Sequence, residues 1–125
     1  MHDDETRRFR TTWTGTVSLQ ELADFLAAQI LLGRWKYSVL HDATAPHVDL
    51  TVLARMPLSM WRELREERGP RGPVPFAVAD DGQRAIAIRY AAMATAQGVF
   101  LAAAFRDVPA AESWLNVLVV SRDEA

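Results

Sequence analysis

The chain has 125 residues, a formal net charge of −2 and no cysteine. Half of the residues are apolar and 24% are charged, which is typical of one globular domain and excludes a disordered or fibrous chain. The absence of cysteine excludes disulfides, thiolate catalysis and cysteine-ligated zinc, and it fits a reducing compartment. The balanced charge argues against nucleic-acid binding. No apolar run is long enough to span a membrane. The first residues are acidic and do not resemble a secretory leader. We therefore expect a cytoplasmic domain that contacts neither nucleic acid nor membrane.

A strand and a helix are the first predicted elements. Residues 8–14 alternate between apolar and polar side chains, which predicts a strand that ends at Gly15. Ser18 and Glu21 have the spacing of a capping box, in which each side chain binds the backbone N–H of the other residue. An apolar stripe at helical spacing follows, and Gly33 ends this helix. The strand residues expected to share one face are Phe9, Thr11 and Trp13.

The middle of the chain predicts a strand, a loop and a helix. Residues 36–40 form the second strand, and a polar loop occupies residues 43–50. A short helical turn beginning at residue 49 or 51 leads to Met56. Proline is favoured at the first position of a helix, so Pro57 is expected to open the helix over residues 58–68.

Glycine and proline separate this helix from the last four elements. The segment 69–73, GPRGP, fits neither a helix nor a strand. The elements predicted after it are a strand over 74–79, a helix from Asp80 or Asp81 to about residue 97 that Gly98 ends, a strand over 99–105 and a helix over about 109–116.

The order of these elements is β-α-β-α-β-α-β-α, with connections too long for hairpins. Such alternation predicts an α/β domain with a single, mainly parallel, four-stranded sheet built as a β-α superhelix with right-handed crossovers. The fourth strand is apolar on both alternating faces, as expected when both sides of the sheet are covered. We assign residues 1–6 to a polar tail, residues 7–116 to the domain and residues 117–125 to a C-terminal extension.

The cover of the second sheet face stays open at this stage. If the helices lie mostly on one face, a homodimer or a protein partner covers the other apolar face, or residues 117–125 fold across it. Two alternating sets are candidates for that face: Ala77 and Ala79 with Ala102 and Ala104, or Phe76 and Val78 with Leu101 and Phe105.

Five stretches of the chain resemble the SpoIIAA-like superfamily, which includes STAS and anti-sigma-factor antagonist domains. Its small uncharacterised bacterial members are the most similar. The most specific stretch is the ending FRDVPAAESWL, which looks like the last strand and helix of these proteins. The stretches are residues 15–18, 37–42, 72–78, 87–90 and 105–115.

The resemblance implies a β-α superhelical sheet and a non-enzymatic, regulatory, protein-binding role. Antagonists of this superfamily carry a phosphorylated serine in an Asp-Ser-Ser-Gly-like stretch. The equivalent residues 42–51 contain no serine and no glycine, so we expect no phosphoserine switch. Thr44 and Thr51 are the hydroxyls nearest to that position and are the candidates for a phosphorylation switch. Thr51 is alternatively a cap of the following turn.

The side chains best suited to metal or ligand binding are four that follow the second strand: His41, Asp42, His47 and Asp49. They follow the carboxyl end of a strand, where open α/β sheets usually bind ligands, and imidazole and carboxylate groups are competent zinc or manganese ligands. The spacing matches no established metal motif, and a solvated loop in which the aspartates cap turns is the simpler interpretation. No cofactor is expected.

Four arginines recur at every third position: Arg62, Arg65, Arg68 and Arg71. Because Glu63, Glu66 and Glu67 lie between them, we interpret the segment as a solvated helix face and not as a nucleic-acid site. The GPRGP loop lacks the glycine spacing and the lysine of a phosphate-binding loop.

The hypothesis from the sequence is a non-catalytic regulatory or protein-interaction module. The alternative is a small-ligand or metal-binding protein, or an enzyme, that uses the loop from His41 to Asp49. Trp13 and Trp35 either line a pocket or lie in the core. The last helix is expected to anchor its end of the core through Trp114 and Leu115.

Overall fold

The computed structural model describes residues 2–124, with side chains described for residues 3–57 and 59–118. A single sheet runs through the domain with its strands side by side in chain order. The strands are β1 (His2–Asp3), β2 (Arg8–Thr12), β3 (Ser38–Asp42), β4 (Val74–Ala77) and β5 (Ala102–Phe105). The helices are α1 (Leu19–Leu31), α2 (Leu58–Arg68), α3 (Asp81–Ala96) and α4 (Val108–Glu124), with a 3-10 helix (Thr51–Arg55) before α2.

Strands β2 to β5 are all parallel, and each is followed by a helix, which confirms the predicted α/β class and the β-α order. Strand β1 is antiparallel to β2. The acidic segment assigned to a polar tail therefore contributes a two-residue edge strand to the sheet. Among the described residues, no helix is both long enough and apolar enough to cross a bilayer.

The predicted helix boundaries are set by local hydrogen bonds. Ser18 Oγ accepts the N–H of Glu21 at 3.1 Å, and Glu21 Oε1 accepts the N–H of Ser18 at 3.2 Å, so the capping box is formed. Asp80 caps α3 by accepting the N–H of Gln83 at 2.8 Å. Gly33 and Gly98 follow the ends of α1 and α3 with φ of 70° and 68°, a conformation that glycine adopts without strain.

Several predicted boundaries move in the structure. Strand β3 begins two residues later than expected, because residues 34–37 form a turn closed by the Tyr37 N–H on the Arg34 carbonyl. Strand β5 begins at Ala102, since Val99 and Phe100 pack in the core before the strand starts. Pro57 precedes α2 as its N-cap. Helix α4 continues to Glu124, so residues 117–124 extend the helix instead of forming a separate segment.

The main hydrophobic core lies on the sheet face that α1, α2 and α3 cover. Phe9 and Trp13 are buried there, and Thr11 bonds to His41 on the same face, as the alternation of the first strand predicted. The helices contribute buried apolar side chains to the same cluster: Leu22 and Leu26 from α1, Trp61 from α2, and Ala87, Tyr90, Ala91 and Ala94 from α3.

Helix α4 covers the second face of the sheet, where it contacts β3, β4 and β5. Leu115 is buried against this face, and the Trp114 ring lies 5.7 Å from the ring of Phe105. Each of the two alternating sets predicted from the sequence mixes residues of both sheet faces, so neither set describes the second face correctly. The parallel register pairs Ala77 with Phe105, so Phe105 lies opposite to Phe76 and shares its face with Ala77. The premise of an uncovered face that needs a partner is therefore wrong.

The loop of residues 69–73 is bound tightly to the segment before β3. Trp35 Nε1 donates to the Gly69 carbonyl at 3.0 Å, and the Val39 N–H donates to the Pro73 carbonyl at 2.9 Å. Gly72 lies so close to this segment that an added Cβ would be 2.3 Å from the carbonyl oxygen of Tyr37. Only glycine fits at this point without movement of backbone.

We expect Gly72→Ala to lower the free energy of unfolding by about 1–3 kcal/mol, because the new methyl group meets rigid backbone and not a flexible side chain. Chemical denaturation at equilibrium measures the change. Gly82→Ala in α3 is the matched control, with an expected change below about 1 kcal/mol in either direction, since its Cβ meets only a side-chain oxygen at 3.3 Å. Equal effects of the two substitutions would contradict the close approach at Gly72.

Candidate functional site

The four candidate metal ligands, His41, Asp42, His47 and Asp49, do not converge. Successive residues of a strand point to opposite faces, and His41 and Asp42 are successive residues of β3. His41 is buried on the main core face, where its ring lies 5.0 Å from that of Phe76. Asp42 instead lies 3.6 Å from the Arg10 guanidinium, which also reaches Glu112 of α4 on the other side of the sheet.

The remaining two members of the cluster lie in the loop that follows. His47 is exposed and has a φ of 63°, and Asp49 accepts the N–H of Thr51 at 2.9 Å. That hydrogen bond is the largest cause of a lowered pKa at Asp49. Within residues 2–124, no group of three or more His, Cys, Asp or Glu side chains is placed to hold a metal ion.

Both candidate phosphorylation sites are involved in local turns. Thr44 donates through its N–H and its hydroxyl to Asp42 Oδ1, at 3.2 and 2.6 Å. Burial raises the pKa of Asp42, but the hydrogen bonds from Thr44 and the charge of Arg10 outweigh it, so this pKa lies below its ordinary value. Thr51 begins the 3-10 helix without a side-chain cap, and the turn-capping role falls to Asp49.

The structure places Arg71 in the interior, which overturns its assignment to a solvated helix face. Helix α2 ends at Arg68, and Gly69 turns the chain with a φ of 80°, so Arg71 does not continue the helical series. Its side chain is only 7% exposed, whereas Arg62, Arg65 and Arg68 are exposed as predicted. The docked 69–73 loop carries this guanidinium into the main core.

Arg71 lies beside a small cavity between the sheet and the helices. The centre of a water molecule can occupy about 20 Å³ of this cavity, which is room for one to two water-sized groups. Phe25 and Met56 are half-buried, whereas the other lining side chains are buried. Its aromatic walls are Trp13, Phe25, Trp61, Phe76, Tyr90 and Phe100. Its aliphatic walls are Leu22, Leu26, Leu53, Met56 and Val74, and its other polar lining residue is His41.

Aromatic rings surround the guanidinium of Arg71. Its central carbon lies 5.0 Å from the ring centroid of Trp61, 5.2 Å from that of Phe100 and 5.7 Å from that of Trp35. The negative faces of aromatic rings attract a cation, and each such contact stabilises it by about 0.5–2 kcal/mol. Buried Gln29 accepts one hydrogen bond from Arg71 Nη2 at 3.3 Å. The side-chain amide of Gln29 is itself oriented by a hydrogen bond that its Nε2 donates to the Arg34 carbonyl at 3.0 Å.

Two buried N–H donors at the cavity have no hydrogen-bond partner among the described residues: Arg71 Nε and Trp61 Nε1. Trp61 Nε1 lies close enough to the Tyr90 hydroxyl to lower the pKa of that group without forming a well-directed hydrogen bond. A buried donor without a partner costs about 1–3 kcal/mol, and more when it is charged. Both unpartnered buried side-chain atoms of the described residues are therefore donors.

Burial keeps the two titratable neighbours of Arg71 neutral. Desolvation, reinforced by the charge of Arg71, lowers the pKa of His41 to about 3. Desolvation also raises the pKa of Tyr90 to about 12. His41 Nδ1 lies 2.6 Å from Thr11 Oγ1 and 3.1 Å from Trp13 Nε1, and the Trp13 N–H is shared between this nitrogen and Thr11 Oγ1, also at 3.1 Å.

Arg71 is thus the one charged group that lines the cavity. Desolvation lowers its pKa to about 10, which leaves the guanidinium protonated at neutral pH. The described lining contains no aspartate or glutamate, and the only hydrogen-bond acceptor recorded for Arg71 is the neutral Gln29. The arrangement is suited to an anion, because it offers a positive charge and N–H donors inside an apolar enclosure.

One sequence signal pointed to this site. Arg71 lies between Pro70 and Gly72 in a segment that cannot be helical. Its three-residue spacing from Arg68 therefore does not place the two arginines on the same helix face. Trp13 and Trp35, which the sequence places either in a pocket or in the core, are both buried in the main core. Trp13 also lines the cavity, whereas Trp35 contacts Arg71 from outside this lining.

Comparisons of the chain with protein-family models, with curated proteins and with solved structures find no match. The resemblance to the SpoIIAA-like superfamily stays a prediction.

Protonation of His41 gives this site a pH-dependent stability. The folded pKa of about 3 is below the ordinary 6.5, so the unfolded chain binds a proton that the folded chain excludes. The contribution of His41 is complete above pH 6.5 and is lost as the pH falls from 6.5 to about 3, at up to ~1.4 kcal/mol per pH unit. Denaturant titrations across this pH range should show that the free energy of unfolding of His41→Gln depends less steeply on pH than that of the wild type. The exposed His47→Gln is the matched control, and identical slopes for the two variants would contradict a buried neutral His41.

Proposed function

We propose that this protein is a non-catalytic regulatory binding module that takes up a small anion at Arg71. The observation that carries the proposal is the buried guanidinium, whose charge no carboxylate among the described residues compensates. The regulatory character follows the resemblance to SpoIIAA-like proteins, and the four parallel strands alternating with helices are compatible with it.

The energetic cost of an uncompensated buried charge supports an external ligand. Moving an ion out of water costs several kcal/mol even after relaxation of the protein. Three cation–π contacts and one hydrogen bond to Gln29 offset part of this cost but leave the Nε–H unsatisfied. An anion in the cavity would supply the missing charge and accept the free N–H groups.

The alternative of a ligand-binding protein that uses the His41 to Asp49 loop has support at one residue only. His41 lines the cavity, while Asp42 and His47 lie elsewhere. The neutral imidazole is held by Trp13 and Thr11, at 3.1 and 2.6 Å from Nδ1. We assign His41 to the wall of the anion site and not to metal binding or acid–base chemistry.

Calorimetric titration and thermal unfolding with sodium salts of chloride, nitrate, acetate and sulfate test the proposal. At least one anion should bind the wild-type chain, with a stabilisation of about 2.7 kcal/mol at a concentration one hundred times its dissociation constant. Arg71→Met should abolish this response, because it removes the charge and the donors while keeping an unbranched apolar side chain.

The matched control is Arg89→Met, the same substitution at an exposed arginine of α3. It should leave anion binding unchanged. The proposal fails if no anion of the panel binds, if Arg71→Met responds to anions as the wild type does, or if Arg89→Met loses the response to the same extent as Arg71→Met.

A homodimer is the second candidate role, and it rests on a different surface. Helix α3 exposes an apolar stripe, in which Ile88 is 51% and Met93 is 49% exposed. Exposed apolar patches that are large and contiguous mark protein–protein contact sites. The other exposed members of the stripe are Ala85, Ala92 and Ala96.

Light scattering at increasing protein concentration tests this second role. A dimer gives a mass near twice 14.0 kDa, and Ile88→Lys should return it to the mass of one chain. A wild-type mass of one chain at every concentration would exclude the homodimer without affecting the anion proposal.

A further inference from the structure

We infer that the anion bound at Arg71 is a short-chain monocarboxylate of the size of formate or acetate. This inference rests on the proposed anion-binding function and specifies its ligand class. Three properties of the cavity select the ligand: its charge, the placement of its free donors and the shape of its apolar walls.

Charge selects a monoanion. Arg71 is the only charged side chain in the described lining, and His41 and Tyr90 are neutral at physiological pH. A single positive charge in a region of low dielectric compensates one negative charge. A sulfate or a doubly charged phosphate would bring an excess charge into the same enclosure, where it would be as costly as the free guanidinium.

The free donors select a ligand with two acceptor atoms. Arg71 Nε and Trp61 Nε1 belong to different side chains, and the guanidinium carbon lies 5.0 Å from the Trp61 ring centroid. A carboxylate has two oxygens in one plane, so it can accept hydrogen bonds from two separate donors at once. Carboxylates are also the usual partners of the planar guanidinium fork. A halide is a single spherical acceptor and has no preferred match to this fork.

The apolar walls favour a ligand in which the group attached to the carboxylate is small and apolar. Leu22, Leu53 and Met56 are among the aliphatic residues that line the cavity. The hydrogen atom of formate or the methyl group of acetate can contact such walls, whereas nitrate and sulfate have oxygen on every side and would leave an acceptor without a donor there. The free volume of about 20 Å³ limits the ligand to one or two carbons unless the walls move.

Competition between anions at constant ionic strength tests this ligand class. Formate or acetate should bind the wild-type chain about tenfold or more tightly than chloride or nitrate, as measured by calorimetry. Trp61→Phe removes one N–H donor and keeps an aromatic ring, so it should reduce this preference while chloride affinity changes little.

Enlargement of the cavity gives a second and independent readout. Leu53→Ala removes an aliphatic wall and should shift the preference from acetate toward propionate or butyrate. Leu115→Ala is the matched control, because it truncates an equally buried leucine on the opposite sheet face. It should lower stability and leave the order of carboxylate affinities unchanged.

The outcomes separate this inference from the proposed function. Binding of chloride or nitrate that needs Arg71 but shows no carboxylate preference would overturn the ligand class and leave the anion site in place. An unchanged order of carboxylates in Leu53→Ala would also overturn the assignment of the apolar wall. Complete absence of Arg71-dependent binding would overturn both proposals.

Discussion

The buried charge of Arg71 is the constraint on which the interior of this domain depends. A guanidinium that is 7% exposed has to be stabilised by whatever surrounds it, and here the surroundings are three aromatic rings and one amide. The same loop that carries Arg71 is held by Trp35 and by the close approach of Gly72 to Tyr37. Packing and charge are therefore coupled, because the backbone contact that needs a glycine also fixes the position of the cation.

The two faces of the sheet differ in physical character for this reason. The described side chains under α4 are aliphatic and aromatic, and polar contacts join α4 to β2 where Arg10 bridges Asp42 and Glu112 and where Arg8 donates to Asn116. The opposite face encloses a cation, a neutral imidazole and two free N–H donors. Open α/β sheets usually bind ligands at the carboxyl ends of their strands, but the candidate site of this domain lies between the sheet and its helices.

The fold was predictable because its determinants are local. Alternation in residues 8–14, the Ser18–Glu21 capping box and the glycines after α1 and α3 each act over a few residues, and the structure confirms them. The site was not predictable in the same way. His41 and Asp42 are neighbours in sequence and looked like joint ligands, yet the two-residue period of a strand sends them to opposite faces.

The sequence by itself determined the parallel α/β order, the limits of α1, α2 and α3 and the absence of cysteine chemistry, since each depends on residue type and short-range spacing. Tertiary structure alone decided that Arg71 enters the core, that Phe76 and Phe105 face opposite ways and that α4 covers the second face. These outcomes depend on strand register and on contacts between residues far apart in the chain. Arg71, for example, meets Gln29, Trp35 and Phe100, and no local pattern records those distances.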